Sequence, residues 1–206
     1  MTKQIEVEVR GKIQDFEKTL NNFKEKAKFV EEKDRISFIY FREGAKEVRD
    51  VVDDPVDLKL RVTNKKAEIV MKYGKWGSQE SRKEFLFPIE LGKFGQALEF
   101  FKYLNWNNGI LMDTKTFVFD YKEIEFALVK SGEFSYFEAE ILVENQEEVE
   151  KSLEKIREVC NEMNLLIFES EEFIQLMNDL NARDDRKFNM LNQNFEEIKE
   201  KFSEYF

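Results

Sequence analysis

The chain has 206 residues and no histidine, and its 33 basic against 43 acidic residues leave a formal net charge of -10. Without histidine, a Ser/His/Asp triad and a histidine-bearing metal centre are excluded; proton transfer falls to Lys, Glu, Asp, Tyr or Cys, and metal binding to hard, oxygen-ligated ions. The acidic balance argues against duplex nucleic acid as a partner, the single cysteine excludes an intramolecular disulfide, and 8 glycines with no Gly-rich loop ending in Lys-Ser/Thr argue against a P-loop or Rossmann enzyme.

The first strand-like segment, Ile5 to Lys12, alternates an apolar face (Ile5, Val7, Val9) with a fully ionised one (Glu6, Glu8, Arg10, Lys12). Two carboxylates followed at the same spacing by two cations suit a divalent metal held beside an anion such as a phosphate; the alternative is an ordinary amphipathic strand with a wet face. Phe16, Leu20, Phe23 and Ala27 then recur at helical spacing, predicting a helix over Gln14 to Lys28. A strand follows near Ile36 to Phe41. Glu43 to Asp57 reads as a charged connection with a turn at Asp53-Asp54-Pro55.

Lys59 and Arg61 alternate with Leu58, Leu60 and Val62, and a hairpin turn at Asn64-Lys65-Lys66 leads to a strand from Ile69 to Lys72. Gly74 to Ser81 reads as a second turn, after which Arg82 and Glu84 lie opposite Phe85 and Phe87. Tyr73, Trp76 and Trp106 sit beside turns, where aromatics pack rims or stack on a heterocycle. Phe94, Leu98, Phe101 and Leu104 predict a helix, and strands are expected at Gly109 to Met112, Lys115 to Phe119, Glu123 to Val129 and Tyr136 to Val143. Helices are expected at Gln146 to Met163, with Cys160 a buried structural thiol, and at Glu171 to Leu180. From Asp185 to Phe206, the spacing of Phe188, Leu191, Phe195, Ile198 and Phe202 predicts one amphipathic helix, docked on its own chain or at a homodimer contact.

Glu123 and Glu125, and Glu138 and Glu140, extend the pattern of strands with one charged face. An open sheet would turn those faces to water, whereas a closed one would line a lumen with carboxylates and cations. The fold class expected is α+β: a closed, mainly antiparallel β-barrel of about eight strands with a polar lumen, covered by helices. Residues 1–182 form the barrel domain in this reading and residues 183–206 a C-terminal helical extension. No secretory signal and no apolar run long enough to cross a bilayer is present, so the expected setting is cytoplasmic and away from membranes.

The order of these motifs resembles the CYTH superfamily of triphosphate tunnel metalloenzymes. Glu6-Val7-Glu8-Val9-Arg10 is similar to its Glu-x-Glu-x-Lys signature, Leu58-Lys59-Leu60-Arg61 to its Leu-Arg-x-Arg strand, Lys72 to its lysine-ending strand, and Arg82-Lys83-Glu84 to its Arg-x-Glu. Lys115 matches a later lysine, and Phe137-Glu138-Ala139-Glu140 the closing Glu-x-Glu strand; the likeness spans residues 3–180. Asn164 to Met177 resembles the C-terminal element of class IV adenylyl cyclase-like members, with Phe173 where a tyrosine is common. Arg10 stands in place of the signature lysine, Phe117 where many members carry an arginine, Phe38 where an aspartate usually precedes Tyr40-Phe41, and Glu125 where an aspartate is found.

The resemblance implies Mg²⁺ or Mn²⁺ held by Glu6, Glu8, Glu138 and Glu140, and a small-molecule triphosphate or nucleotide held by Arg10, Lys59, Arg61, Lys72, Arg82 and Lys115. Arg10, Lys12, Lys72 and Glu84 are the candidate catalytic residues, and Glu84 and Glu125 are expected to orient neighbouring cations. Three activities share this set: hydrolysis of an inorganic or small organic triphosphate, cyclisation of ATP to cyclic AMP and pyrophosphate, and non-catalytic binding of a phosphorylated ligand.

Overall fold

The computed structural model describes residues 5–41, 56–73 and 83–206. Ten strands are β1 (Ile5–Lys12), β2 (Lys28–Phe41), β3 (Val56–Thr63), β4 (Lys66–Tyr73), β5 (Lys83–Ile89), β6 (Asn108–Tyr121), β7 (Ile124–Ser131), β8 (Phe134–Val143), β9 (Leu166–Ile167) and β10 (Lys187–Asn189). Five helices are α1 (Phe16–Lys26), α2 (Phe94–Tyr103), α3 (Val149–Glu162), α4 (Ser170–Asn181) and α5 (Phe195–Lys201). The strands hydrogen-bond in the order β5-β4-β3-β2-β6-β7-β8-β1-β9, with β10 added to β6. The antiparallel α+β class expected from the sequence is the one observed. Closure is not: among the described residues the order ends at β5 and β9, and hydrogen bonds do not join them.

The described residues fall into two compact units, one of residues 5–33 and 114–175, the other of residues 34–41, 56–73, 83–113 and 176–206. The long strands β2 and β6 each contribute to both.

The first unit packs α1 and α3 on the apolar side of β1, β8, β7 and β6. Asp15 caps α1, its side chain accepting from the Lys18 amide at 3.0 Å. Phe16, Leu20 and Phe23 then bury one stripe, and the Phe23 ring meets Phe119 at 5.4 Å and Phe126 at 5.1 Å. From α3, Ile156, Val159 and Cys160 enter the same core. Burial pushes the Cys160 thiol up to about 12, so it is the inert structural thiol the helical pattern predicts. Phe117 packs against this core with its ring 6.0 Å from Phe16.

The second unit packs the apolar side of β2, β3 and β4 against α2 and the C-terminal segment. Asn64 and Lys65 both have left-handed φ, 48° and 66°, which closes the β3–β4 hairpin in two residues where the sequence places the turn. Lys122 and Glu123 do the same for β6–β7, with φ of 53° and 64°. Glu123 is therefore a turn residue, ion-paired with Lys155, and not the strand position its spacing suggests. The two strands expected between Gly109 and Phe119 are one continuous β6.

The C-terminal segment also departs from its periodicity. The single helix expected over residues 185–206 is instead β10, a turn, the short α5 and a 3₁₀ turn. Asparagine and glutamine side chains compete for its backbone: Asn189 Oδ1 accepts from the Leu191 amide, Gln193 Oε1 from the Asn189 amide, and Asn194 Oδ1 caps α5 by accepting from Glu197. Phe188 pairs in β10 opposite Gly109 and meets Phe38 at 5.3 Å, while Phe195 and Phe206 pack on Phe94 at 5.6 and 5.1 Å. These apolar residues are thus spent within their own unit. No helix among the described residues is long and apolar enough to cross a membrane.

Gly11 lies where β1 meets both β8 and β9, and a Cβ there would come within 2.0 Å of the Leu166 carbonyl and 2.3 Å of the Phe137 ring. Gly11→Ala is expected to cost at least about 2 kcal/mol through overpacking, read as a fall of at least ~4 °C in the thermal midpoint. An unchanged midpoint would show that β9 does not press on β1.

Candidate functional site

Register decides which charges meet. On the side of the first unit opposite α1 and α3, Glu8 of β1 faces Glu140 of β8, Glu140 faces Glu125 of β7, and Glu125 faces Asp120 of β6. Directly opposed residues share one face of a sheet, and like charges there are destabilising. Four carboxylates thus form one row across four strands. One register step along, Arg10 faces Glu138, which faces Ala127, which faces Val118. On this same side Val118 and Val129 are buried, Glu8, Glu138 and Glu140 are half-buried, and Glu6, Glu125 and Asp120 are exposed.

The row acts most strongly on Glu140. Burial, then the charges of Glu6, Glu125 and Glu8, and a hydrogen bond with Glu6, push its carboxyl up to about 8. Arg10 compensates the adjoining positions: Nε donates to Glu138 at 2.9 Å and Nη2 to Glu8 at 2.8 Å, while its guanidinium carbon lies 4.9 Å from the Phe173 ring centre. Burial works against the Arg10 charge, but Glu138 and Glu8 outweigh it and hold the guanidinium ionised. Lys12, at the exposed end of β1, lies opposite Tyr136 and Leu166.

A divalent ion fits this donor set. The donors are all carboxylate oxygens, and an added cation would relieve a carboxyl pushed up by burial and by its acidic neighbours. Among the described residues, no three acidic or cysteine side chains stand close enough together to form a ready-made cage. An ion here would therefore draw the rest of its shell from water or phosphate oxygens, the habit of Mg²⁺.

The second unit carries the cations. Lys59 Nζ is 3.0 Å from Asp57, Arg61 Nε donates to Glu68 at 2.6 Å, and Lys72 Nζ is 3.8 Å from Glu84, its register partner on β5. Asp57, Lys59, Arg61 and Thr63 share one face of β3; Arg35 of β2 joins them by donating to Thr63 Oγ1 at 2.9 Å. Ser37 and Val70, also on this side, are buried. The arrangement is a set of paired charges rather than bare cations, and Glu84, expected to orient a neighbouring cation, stands opposite Lys72.

Lys115 is placed differently. It faces Lys130 in register, on the side of β6 that also carries Phe117 and Phe119, and pairs with Glu32 at 2.6 Å. Arg82, Trp76, the Asp53-Asp54-Pro55 turn and the Gly74 to Ser81 turn lie outside the described residues. Glu125, expected beside a cation, stands in the carboxylate row. Asp120, Glu68, Asp57 and Arg35 were not singled out from the sequence; for Asp120 and Glu68, the period-two pattern of β6 and β4 carries the signal when followed to the strand ends.

No family model and no curated protein matches this sequence. Solved structures do match in fold. The PH1012 protein of Pyrococcus horikoshii is 20% identical with a TM-score of 0.63, over 84% of this chain and 100% of its own. An adenylate cyclase candidate from Vibrio parahaemolyticus is 15% identical with a TM-score of 0.62, over 84% and 98%. HpAC1 of Hippeastrum, an adenylyl cyclase candidate described as revealing a dominant triphosphatase activity, is 14% identical with a TM-score of 0.55, over 88% and 98%. The fold is the one these structures share. At these identities the likenesses speak to the fold alone.

The carboxylate row predicts a pH dependence of stability. The Glu140 carboxyl titrates at about 8 when folded, against an ordinary value of 4.5, so between those two pH values the folded chain holds a proton that the unfolded chain has lost. Its contribution to stability is therefore full at low pH and declines as pH rises through that window. Without added divalent ions, Glu140→Gln is expected to flatten the fall in denaturant midpoint across this range and to be the more stable chain at its alkaline end. Parallel pH profiles for the two chains would refute the placement of Glu140.

Proposed function

We propose that this protein processes a small-molecule triphosphate with a divalent metal, as a phosphohydrolase of inorganic or small organic triphosphates. The observation that carries the reading is the direct opposition of Glu8, Glu140 and Glu125 on neighbouring strands, which, after burial and the charge of Glu6, adds to the rise of the Glu140 carboxyl and calls for a cation. Closure of the sheet into a tunnel belongs to the same proposal, supported by the burial of Val118, Val129, Val70 and Ser37 on the charged sides of their strands.

Glu6, Glu8, Glu138 and Glu140 would hold Mg²⁺ or Mn²⁺. When bound, the ion would neutralise phosphate oxygens and the charge that develops as a P-O bond breaks. Lys59, Arg61 and Lys72, joined by Arg82 in the reading from resemblance, would bind the remaining oxygens; Lys115, on the other side of β6, is left out of the set. Glu68 fixes the Arg61 guanidinium for forked contacts, and Glu84 steadies Lys72, whose ammonium can give a proton to the leaving oxygen. Lys12, exposed at the end of β1, is the other ammonium available for proton transfer. Water is the nucleophile in this reading.

The test is incubation of the full chain with ATP, inorganic triphosphate and thiamine triphosphate in Mg²⁺ or Mn²⁺, followed by product analysis. Orthophosphate release is expected. Cyclic AMP with pyrophosphate would replace hydrolysis by cyclisation, and retained binding without products would make the protein a binder. The combined Glu6→Gln and Glu8→Gln variant is expected to lose divalent-ion dependence while remaining folded, because amides keep the shape without the charge that hard cations require. Unchanged Mn²⁺ affinity in that variant would remove the metal role from β1.

A further inference from the structure

Arg10 already occupies two of the four carboxylates assigned to the metal. Its fork spans Glu8 at 2.8 Å, two residues before it on β1, and Glu138 at 2.9 Å, its register partner on β8. The guanidinium is stacked from one side by Phe173 of α4. That ring is itself tied to β1: the Phe168 amide donates to the Arg10 carbonyl at 2.8 Å, and Phe168 packs on Phe173 at 5.9 Å. Arg10 is therefore a cation built into the acidic face, held by two carboxylates and a ring. It is not simply a group waiting for an anion.

We propose that Arg10 is an internal counter-ion that competes with a divalent ion for Glu8 and Glu138 and so sets the metal affinity of the site. The inference rests on the metal reading of the Glu6, Glu8, Glu138 and Glu140 face. A divalent ion that uses either carboxylate has to break one arm of a charge-assisted fork and accept a positive neighbour. Lysine, the residue of the signature this segment resembles, makes a single-point contact and is displaced more readily than a planar guanidinium holding two partners. Arg10 thereby acts as a positioning residue: it keeps the like charges of β1 and β8 together in the absence of metal, at the expense of metal affinity.

Mn²⁺ binding to the full chain, measured by calorimetry near neutral pH, tests this on the wild type, Arg10→Lys, Arg10→Met and Phe173→Leu. Affinity is expected to rise from wild type to Arg10→Lys to Arg10→Met, by about tenfold or more in the last, because removing a unit charge beside a divalent ion relieves a large repulsion. Phe173→Leu, which keeps the charge but loses the stack, is expected to gain about twofold or more. Arg10→Met should also melt below wild type in chelator and recover with Mn²⁺, a reversal that a merely structural role does not produce.

Unchanged or weaker Mn²⁺ binding by Arg10→Met overturns the proposal, as does an unchanged affinity in a folded Phe173→Leu if Arg10→Met fails to fold. Absence of Mn²⁺ binding by every chain overturns the proposal together with the metal reading. Tighter binding by Arg10→Met, together with no triphosphate turnover by the wild type, supports the counter-ion and removes the hydrolase.

Discussion

The structure turns on the opposition of like charges across β1, β8 and β7. The register that sets Glu8 against Glu140 and Glu125 is also the one that sets Val9 against Ala139 and Phe126, with Phe119 beyond. A slip of one residue would exchange the two faces, moving acids into the aromatic core. Burying a Phe or Val side chain is worth roughly 1.5–3 kcal/mol, against about 0.2–1 kcal/mol for one unfavourable cross-strand pair, so the core dictates the register and the carboxylates must accept it. The acidic row is stored where packing elsewhere enforces it.

Two devices relieve that row without metal. Burial and its acidic neighbours push the Glu140 carboxyl up, favouring its neutral form, and Arg10 bridges Glu8 and Glu138. Each does what an added cation would do, and each would weigh against one: a protonated carboxyl is a poor ligand for a hard ion, and a forked guanidinium is slow to give up its partners. The second unit solves the converse problem by giving Lys59, Arg61 and Lys72 a carboxylate apiece. An incoming polyanion would exchange one set of ion pairs for another, so its affinity depends on making forked or multiple contacts that a single carboxylate does not match.

The C-terminal segment shows why a stripe of apolar residues is not by itself a helix. Phe188, Phe195, Ile198 and Phe202 recur at helical spacing, yet Asn189, Gln193 and Asn194 bond the backbone around them and break the run into a strand, a turn and a two-turn helix. Burial of Phe188 beside Gly109 and Phe38 does not need the helix, only the spacing. Phe117 is similar: at a place where the resemblance expects an arginine, the strand turns it toward Phe16 and the core.

Period-two alternation within β1, β3 and β8 was enough to say that each strand has one ionised and one apolar face, and which residues lie on each, because that property is local to five or so residues. The turn at Asn64 and Lys65, the apolar stripe of α1 and the inert Cys160 were legible for the same reason. Which charges stand opposite one another was not. Arg10 and Glu138 are separated by 128 positions in the chain, and Glu125 meets Glu140 only through a register set by the β7–β8 turn and the core beneath it. The sequence by itself determined the inventory of carboxylates and cations and their faces; the tertiary structure alone decided that Glu8, Glu140 and Glu125 form one row and that Arg10 answers it, because pairing across strands is a property of packing over the whole sheet and not of any one segment.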